Sequence, residues 1–224
     1  MNRAIVLLSG GLDSTTCLAI AKSKGYEIYA LSFDYGQKHF IELRLAKYNA
    51  KFFKTVEHKI VKLDRNFFKN SALTNREISV KKDNYSETDI PNTYVPARNT
   101  VFLSYALAYA ETVNSGHIFI GVNIIDYSGY PDCRQEFIKS FEKLANLALK
   151  ETVEGKMRIK IETPLLFKTK SEIIKIGKKL GIDYSKTISC YDPTDGKACG
   201  HCDSCLLRKK GFGESGFADE TIYV

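Results

Sequence analysis

The sequence predicts an α/β protein: a parallel five-stranded sheet with helices on both faces, followed by a small cysteine-bearing C-terminal segment. Three observations carry this. Strand-like and helix-like runs alternate along most of the chain, the pattern of parallel strands joined by crossover helices. Two adjacent glycines, Gly10 and Gly11, stand where the first apolar run gives way to the first helical one. Four of the six cysteines crowd into a short stretch near the C-terminus, after the alternation has stopped.

Taken in order, residues 4–8 are continuously apolar and read as a strand, and 14–24 as a helix. Residues 27–33 form a second strand. Residues 38–52 place Phe40, Leu43, Ala46 and Ala50 at helical spacing. Residues 55–63 alternate and read as a third strand. Residues 64–96 are polar and weakly patterned, an excursion that is expected to lie over a site. Residues 100–112, rich in Ala, Leu and Tyr, read as a buried helix, and 117–122 as a fourth strand. A helix over 134–149 and a fifth strand over 157–162 follow. Thr169 and Glu172 form the capping box that opens a short helix over 169–180. From about residue 182 the chain reads as irregular. The expected organisation is therefore 1–181 as the α/β domain and 182–224 as a C-terminal segment packed on it.

The totals narrow the class. A chain of 224 residues suffices for one sizeable core. Apolar residues make up 44% and charged residues 26%, as in ordinary globular proteins. There is no apolar run long enough to cross a membrane as a helix, and no leader-like N-terminus. A cytoplasmic setting is expected, where disulfides are rare. The net charge of +7 favours anionic ligands.

The stretch Ser9-Gly-Gly-Leu-Asp-Ser14 lies at the carboxyl end of the first strand. Amides at a helix start lack intrahelical partners, and the helix dipole adds positive charge there. Glycines permit a tight turn and close approach of an anion. Ser9, Ser14, Thr15 and Thr16 add hydroxyl donors. The stretch therefore reads as a phosphate cradle, although it matches neither the G-x-x-x-x-G-K-[ST] loop nor the dinucleotide fingerprint. Asp13 would repel bare phosphate and makes sense with Mg²⁺ as a bridge. The plainer alternative is a glycine turn in which Asp13 or Ser14 simply caps the helix. Gly211-x-Gly213-x-x-Gly216 spells the dinucleotide fingerprint by letter, but it has no preceding strand and reads as a flexible tail turn.

Cys190, Cys199, Cys202 and Cys205 follow the spacing C-x8-C-x2-C-x2-C. Four soft ligands so close together suit a tetrahedral metal site, with zinc the leading candidate. An iron–sulfur cluster is the rival. A structural zinc supplies about 10–16 kcal/mol to folding, against about 2–4 for a disulfide. His201 reads as exposed, Cys17 as a packed small residue, and Cys133 as part of a polar loop.

Three more polar loops fall where a parallel sheet opens its crevice. One follows the second strand and carries Tyr35 and Gln37. One precedes the buried helix and carries Arg98 and Asn99. One follows the fourth strand and carries Asp126, Tyr130, Asp132 and Arg134. Each alone could be a solvated loop; together they suggest a binding edge. Tyrosines can stack on a heterocycle, carboxylates can accept from ring N–H groups, and arginines can pair with carboxylate or phosphate. Lys170 could reach phosphate, or could be an ordinary exposed first-turn lysine.

The opening motif resembles the S-G-G-x-D-S signature of the PP-loop ATP pyrophosphatase superfamily, whose members cleave ATP between its α and β phosphates and adenylate a substrate oxygen. The resemblance implies an adenine nucleotide alpha hydrolase-like fold. It also implies an ATP site built from Leu8, Ser9, Gly10, Gly11, Leu12, Asp13, Ser14, Thr15, Thr16, Cys17 and Leu18, with Asp13, Ser14 and Lys170 as catalytic groups. Combined with D-Y-G-Q-K-H, V-P-A-R-N, G-V-N-x-x-D-Y-S-G-Y-P-D-C-R and the cysteine pattern, the whole chain resembles the 7-cyano-7-deazaguanine synthase family. That likeness implies a homodimer with one structural zinc per chain and Mg²⁺ with ATP. It implies conversion of 7-carboxy-7-deazaguanine to its nitrile with free ammonia in queuosine biosynthesis, with AMP as the nucleotide product. No membrane and no stable nucleic-acid partner are expected. A PP-loop enzyme that adenylates a tRNA base, and a non-enzymatic zinc module, are the alternatives. Three positions depart from the family pattern: Ala97 stands where glycine is usual, Lys38 where arginine is usual, and residues 217–221 lack a common proline.

Overall fold

The computed structural model describes residues 2–83, 90–125 and 129–224. Strands β1 (Arg3–Leu7), β2 (Glu27–Asp34), β3 (Glu57–Lys62), β4 (His117–Phe119) and β5 (Lys160–Glu162) form one sheet in the order β3-β2-β1-β4-β5. Every pairing is parallel, and Val6 at the centre lies opposite Ala30 on one side and Phe119 on the other. The helices are α1 (Leu12–Ser23), α2 (Ile41–Phe52), α3 (Arg98–Thr112), α4 (Gln135–Ala148), the single turn α5 (Lys150–Val153), α6 (Lys170–Lys179) and α7 (Asp203–Ser215).

The continuous apolar run at the start of the chain is explained by burial on both faces of β1. Ala4, Val6 and Leu8 pack with Leu18 of α1, Ala46 of α2 and Ile173 of α6. Ile5 and Leu7 pack on the opposite face with Leu103 of α3 and Phe141 of α4. Full burial of such side chains stabilises the fold by about 1.5–3 kcal/mol each. The chain winds outward from β1 to β3, then returns to place β4 and β5 on the other side. The reversal falls between β1 and β4, and the crevice at the carboxyl ends of these two strands is where such sheets bind ligands.

The strands and helices predicted from periodicity all form, with ends displaced: α1 and α3 start two residues earlier than predicted, whereas several strands are shorter. The fourth and fifth strands are three residues each, and beyond Phe119 the chain stays attached through the Ile120 amide, which donates to the Glu162 carbonyl. The capping box is present: Thr169 Oγ1 accepts from the Glu172 amide at 3.2 Å, and Glu172 accepts from the Thr169 amide at 2.8 Å. Described parts of the excursion over 64–96 do reach the crevice, where Leu73 lines the cavity. Its Leu73 carbonyl accepts from the Lys38 amide, and Lys38 Nζ donates to the Ile78 carbonyl at 2.8 Å.

The C-terminal segment differs from expectation. It contains a thirteen-residue helix, α7, and the glycines read as a tail turn belong to it. Gly211 and Gly213 are helical, and Gly216, at φ +79°, ends the helix. Glycines weaken the helical pattern in sequence, but tertiary packing overrides that preference. A Cβ at Gly211 would come within 2.7 Å of both Cβ and Cγ of Lys170, so the glycine lets α7 lie directly on α6. Phe212 and Tyr184 enter the same core as α1. A separate small cluster joins Ile188 and Ala198 to the four cysteines and to Ala72 and Val80 of the excursion.

Candidate active site and cysteine centre

Gly11 is the N-cap of α1 and no side chain caps that helix, so the first-turn amides face the crevice without a protein acceptor at the cap. Ser9 and Ser14 close the turn: their hydroxyls are 2.9 Å apart, and the Ser14 hydroxyl donates to the Gly11 carbonyl at 3.2 Å. Gly10 sits at φ +87°, and a Cβ there would lie 2.3 Å from the Glu42 carbonyl of α2. Only glycine fits both the conformation and the contact. Behind the turn, a Cβ at Gly121 would come within 3.1 Å of the Asp13–Ser14 backbone, so the chain leaving β4 presses on the start of α1.

This turn opens onto a cavity of about 260 Å³. Leu8, Ser9, Gly11, Leu12, Asp13 and Ser14 line it. Asp13 is paired with Lys170, whose Nζ lies 2.9 Å from both carboxylate oxygens. Lys170 is therefore not an ordinary exposed lysine; its side chain is 12% exposed. The pair balances the negative charge that otherwise sits awkwardly in an anion cradle. Thr15, Thr16, Cys17 and Leu18 are placed differently. All four are buried, and none lines the cavity. Thr16 bonds the Leu12 carbonyl and the Tyr184 hydroxyl, Cys17 and Leu18 join the core, and burial pushes the Cys17 thiol up. A helix turns about 100° per residue, so a contiguous run cannot all face one ligand.

The other loops divide similarly. Tyr35, Gln37, Arg98, Asn99 and Tyr130 line the cavity. Arg98 donates to the Tyr35 hydroxyl at 3.3 Å. Burial raises the Tyr35 phenol, with Arg98 opposing part of the rise. Gln37 ties its own loop, accepting from the Tyr35 amide and donating to the Phe33 carbonyl. Asp132 and Arg134 do not line the cavity. Asp132 is buried and accepts from the Asn99 amide at 3.0 Å, holding the start of α3. Arg134 is exposed at the N-cap of α4. The short helical turn Pro131–Cys133 swings these two side chains away. Asp126 lies outside the described residues. Cys133, assigned to a polar loop, is buried and accepts from Asn99 Nδ2.

The cavity residues that were not anticipated include Glu42, Ser189, Tyr191 and Arg208. Arg208 is 1% exposed. It bonds both Asp219 oxygens, the Thr187 and Ser189 hydroxyls and the Tyr184 carbonyl. In sequence it is one cation of a basic run, and only burial sets it apart. Glu42 reads as an ordinary acidic first-turn residue until α2 is placed beside the glycine turn.

Cys190, Cys199, Cys202 and Cys205 are all buried, with their sulfurs within 4.8 Å of one another. Amides donate to these sulfurs: Asp192 and Cys199 to Cys190, Tyr191 to Cys202, and His201 and Cys202 to Cys199. Hydrogen bonds from the Cys190 and Cys205 thiols hold the Cys202 sulfur far below the usual thiol range. A tetrahedral ion with bonds of about 2.3 Å needs sulfurs about 3.8 Å apart, so the cluster fits one metal ion, and its donor set suits zinc. Cys190 also lines the cavity, and the Ile188 amide donates to the Gly10 carbonyl at 3.2 Å. The cysteine cluster and the glycine turn are thus joined by two residues of chain. His201 is exposed and faces Asp83 instead.

Comparison with known proteins agrees with this arrangement. The family model for "Queuosine biosynthesis protein QueC" matches residues 3–216. A 7-cyano-7-deazaguanine synthase of Syntrophobacter fumaroxidans is 58% identical over 99% of this chain and 96% of its own length. That of Geobacter metallireducens is 59% identical over 99% and 93%. Among solved structures, an NMN synthetase from Francisella tularensis shares the fold, with a TM-score of 0.52 at 16% identity, covering 98% of this chain and 79% of that one. Among the described residues no helix is long and apolar enough to cross a membrane.

Proposed function

The chain belongs to the QueC family of queuosine biosynthesis proteins, and from that premise we propose that it converts 7-carboxy-7-deazaguanine and ammonia to 7-cyano-7-deazaguanine at the expense of ATP. The observation that carries this reading is the uncapped start of α1, which opens with its glycine turn onto a cavity large enough for reacting groups.

A carboxylate is a poor electrophile. Passing the adenylyl group of ATP to its oxygen yields a mixed anhydride that ammonia can attack, leaving an amide. A second activation, at the amide oxygen, permits loss of that oxygen as the nitrile forms. The protein contributes position and charge. Ser9, Gly11, Ser14 and the first-turn amides of α1 hold the departing pyrophosphate. Lys170, fixed beside Asp13, offsets the charge that builds on the leaving group, while Asp13 favours a Mg²⁺ that accompanies ATP. Tyr35, Tyr130 and Arg98 face the planar acid substrate. The cysteine centre takes a zinc ion that supplies folding energy to residues 182–224. The described residues hold no separate glutamine-hydrolysing unit, and ammonia is taken as the free nitrogen source. The working form is a homodimer in the cytoplasm.

Mass spectrometry of the product formed from 7-carboxy-7-deazaguanine, ATP, Mg²⁺ and ammonium tests the reading; it is wrong if ATP is consumed without nitrile. Asp13→Asn is expected to lose about 10²–10³-fold in turnover while keeping its metal content. Loss of metal along with activity would point to misfolding instead.

A further inference from the structure

One charged group in the cavity is used by neither the glycine turn nor the metal centre. Glu42 lies in the first turn of α2, and its backbone is clamped against Gly10. It lines the cavity, and its carboxylate makes no hydrogen bond or ion pair with any described residue. The groups that face it are Arg98 from α3 and Tyr35 from the loop after β2. Farther round the wall stand Lys38 and His39 on that loop, Asp13 and Lys170 at the glycine turn, and Tyr130 and Tyr191. Neither direct neighbour bonds it: Arg98 donates to the Tyr35 hydroxyl, and its charge reaches Glu42 only through space. Burial raises the Glu42 carboxyl to about 7, with the Arg98 charge pulling it back only in part. A carboxyl committed to no structural bond, open to a reaction cavity and exchanging its proton near neutrality is fitted for proton transfer.

The proposed reaction has one step that demands such a group. Ammonia exists in neutral water almost entirely as ammonium, which carries no free electron pair. We propose that Glu42 is the catalytic base that receives ammonium in the cavity and takes a proton from the nitrogen that attacks the acyl adenylate. This rests on the function proposed above. Ammonium gives one proton to the Glu42 carboxylate. The freed electron pair forms the C–N bond, and the bond between the acyl carbon and the AMP oxygen breaks, with AMP keeping that pair. The nitrogen then loses a second proton to water, and Glu42 releases its own. The sum is acyl adenylate plus ammonium giving amide, AMP and two protons.

The test compares wild type with Glu42→Gln in three assays. Exchange of labelled pyrophosphate into ATP, dependent on 7-carboxy-7-deazaguanine, reports adenylation alone. Amide formation with ammonium reports the proposed step. Hydroxamate formation with hydroxylamine reports attack by an amine that is already unprotonated at neutral pH. The variant is expected to retain exchange, to lose about 100-fold or more with ammonium, and to stay near wild type with hydroxylamine. Glu42→Asp, which keeps the acid, is expected to recover part of the ammonium rate. In wild type the ammonium reaction should fall as pH drops through about 7 more steeply than the hydroxylamine reaction.

Equal losses with both amines would overturn the proposal and leave Glu42 a positioning role. Loss of exchange in Glu42→Gln would overturn it in favour of recognition of the substrate ring. Absence of exchange in wild type would instead remove the functional reading on which the proposal stands.

Discussion

The glycine turn and the cysteine centre wall the same cavity, yet they are held there by different forces. The turn hangs from β1, whose residues Ala4–Val6 are fully buried between two helical layers. Its geometry is set by the sheet and needs no ligand. The cysteine segment has only a small cluster of its own, in which half of the buried members are cysteines. It is also held by Tyr184 and Phe212 in the main core, by the Arg208–Asp219 pair and by the contact of α7 with α6. One wall is therefore set by apolar burial, whereas the wall around the cysteines leans in addition on specific polar bonds and on its sulfur donors, so the two should respond differently to perturbation.

The largest test of that contrast is metal removal. If the four cysteines hold zinc as proposed, chelation takes away a contribution of about 10–16 kcal/mol to local order, and Cys199→Ser takes away part of it. Hydrogen exchange is expected to show rapid loss of protection over residues 188–205, with β1 and β2 amides still protected. Simultaneous collapse of the sheet would erase the distinction. Next comes Arg208→Met. Breaking a buried pair while leaving Asp219 behind costs about 3–5 kcal/mol, measurable by urea unfolding, and replacing Asp219 with Leu as well should return most of it. Burial opposes the Asp219 charge, but Arg208 and the Tyr223 hydroxyl outweigh it and depress the carboxyl. A depressed carboxyl stabilises fully above its unfolded value, about 3.9, and that stability is lost as pH falls through the folded value. Acid should therefore release the C-terminal segment in wild type, and Arg208→Met should weaken this pH dependence, since only the Tyr223 and Thr221 bonds to Asp219 remain.

The smallest effect lies at the start of α3. Ala97 adopts φ +54° and ψ +20°, a left-handed conformation at the helix N-cap. The sequence departs there from the glycine usual in the resembling family. Ala97→Gly is expected to raise stability by about 0.5–1 kcal/mol, read as a higher urea midpoint. An unchanged midpoint would mean that unfolded-state entropy offsets the relief.

Legibility in the sequence followed the same divide. The sheet was readable because strands buried on both faces are apolar throughout, and its helices because their spacing is regular. The glycine turn and the cysteines were readable because only a few residue types suit them. What stayed hidden depends on how elements meet. Glycines in α7 mimicked a tail turn, and the purpose of Gly211, room for the Lys170 stem, belongs to another helix. Asp132 looked like a ligand for a ring N–H, whereas its partner is the Asn99 amide. Thr16 and Tyr184 are 168 positions apart along the chain, a separation over which no local pattern speaks.

The bond from the Ile188 amide to the Gly10 carbonyl has a thermodynamic reach beyond its own small energy. With a metal at the cysteines and a phosphate at the turn, as proposed, one short segment would touch both sites and make their occupancies linked functions. If nucleotide binding firms that turn, reciprocity requires that it tighten the hold on the ion by the same factor at equilibrium, so competition with a chelator would gauge substrate occupancy.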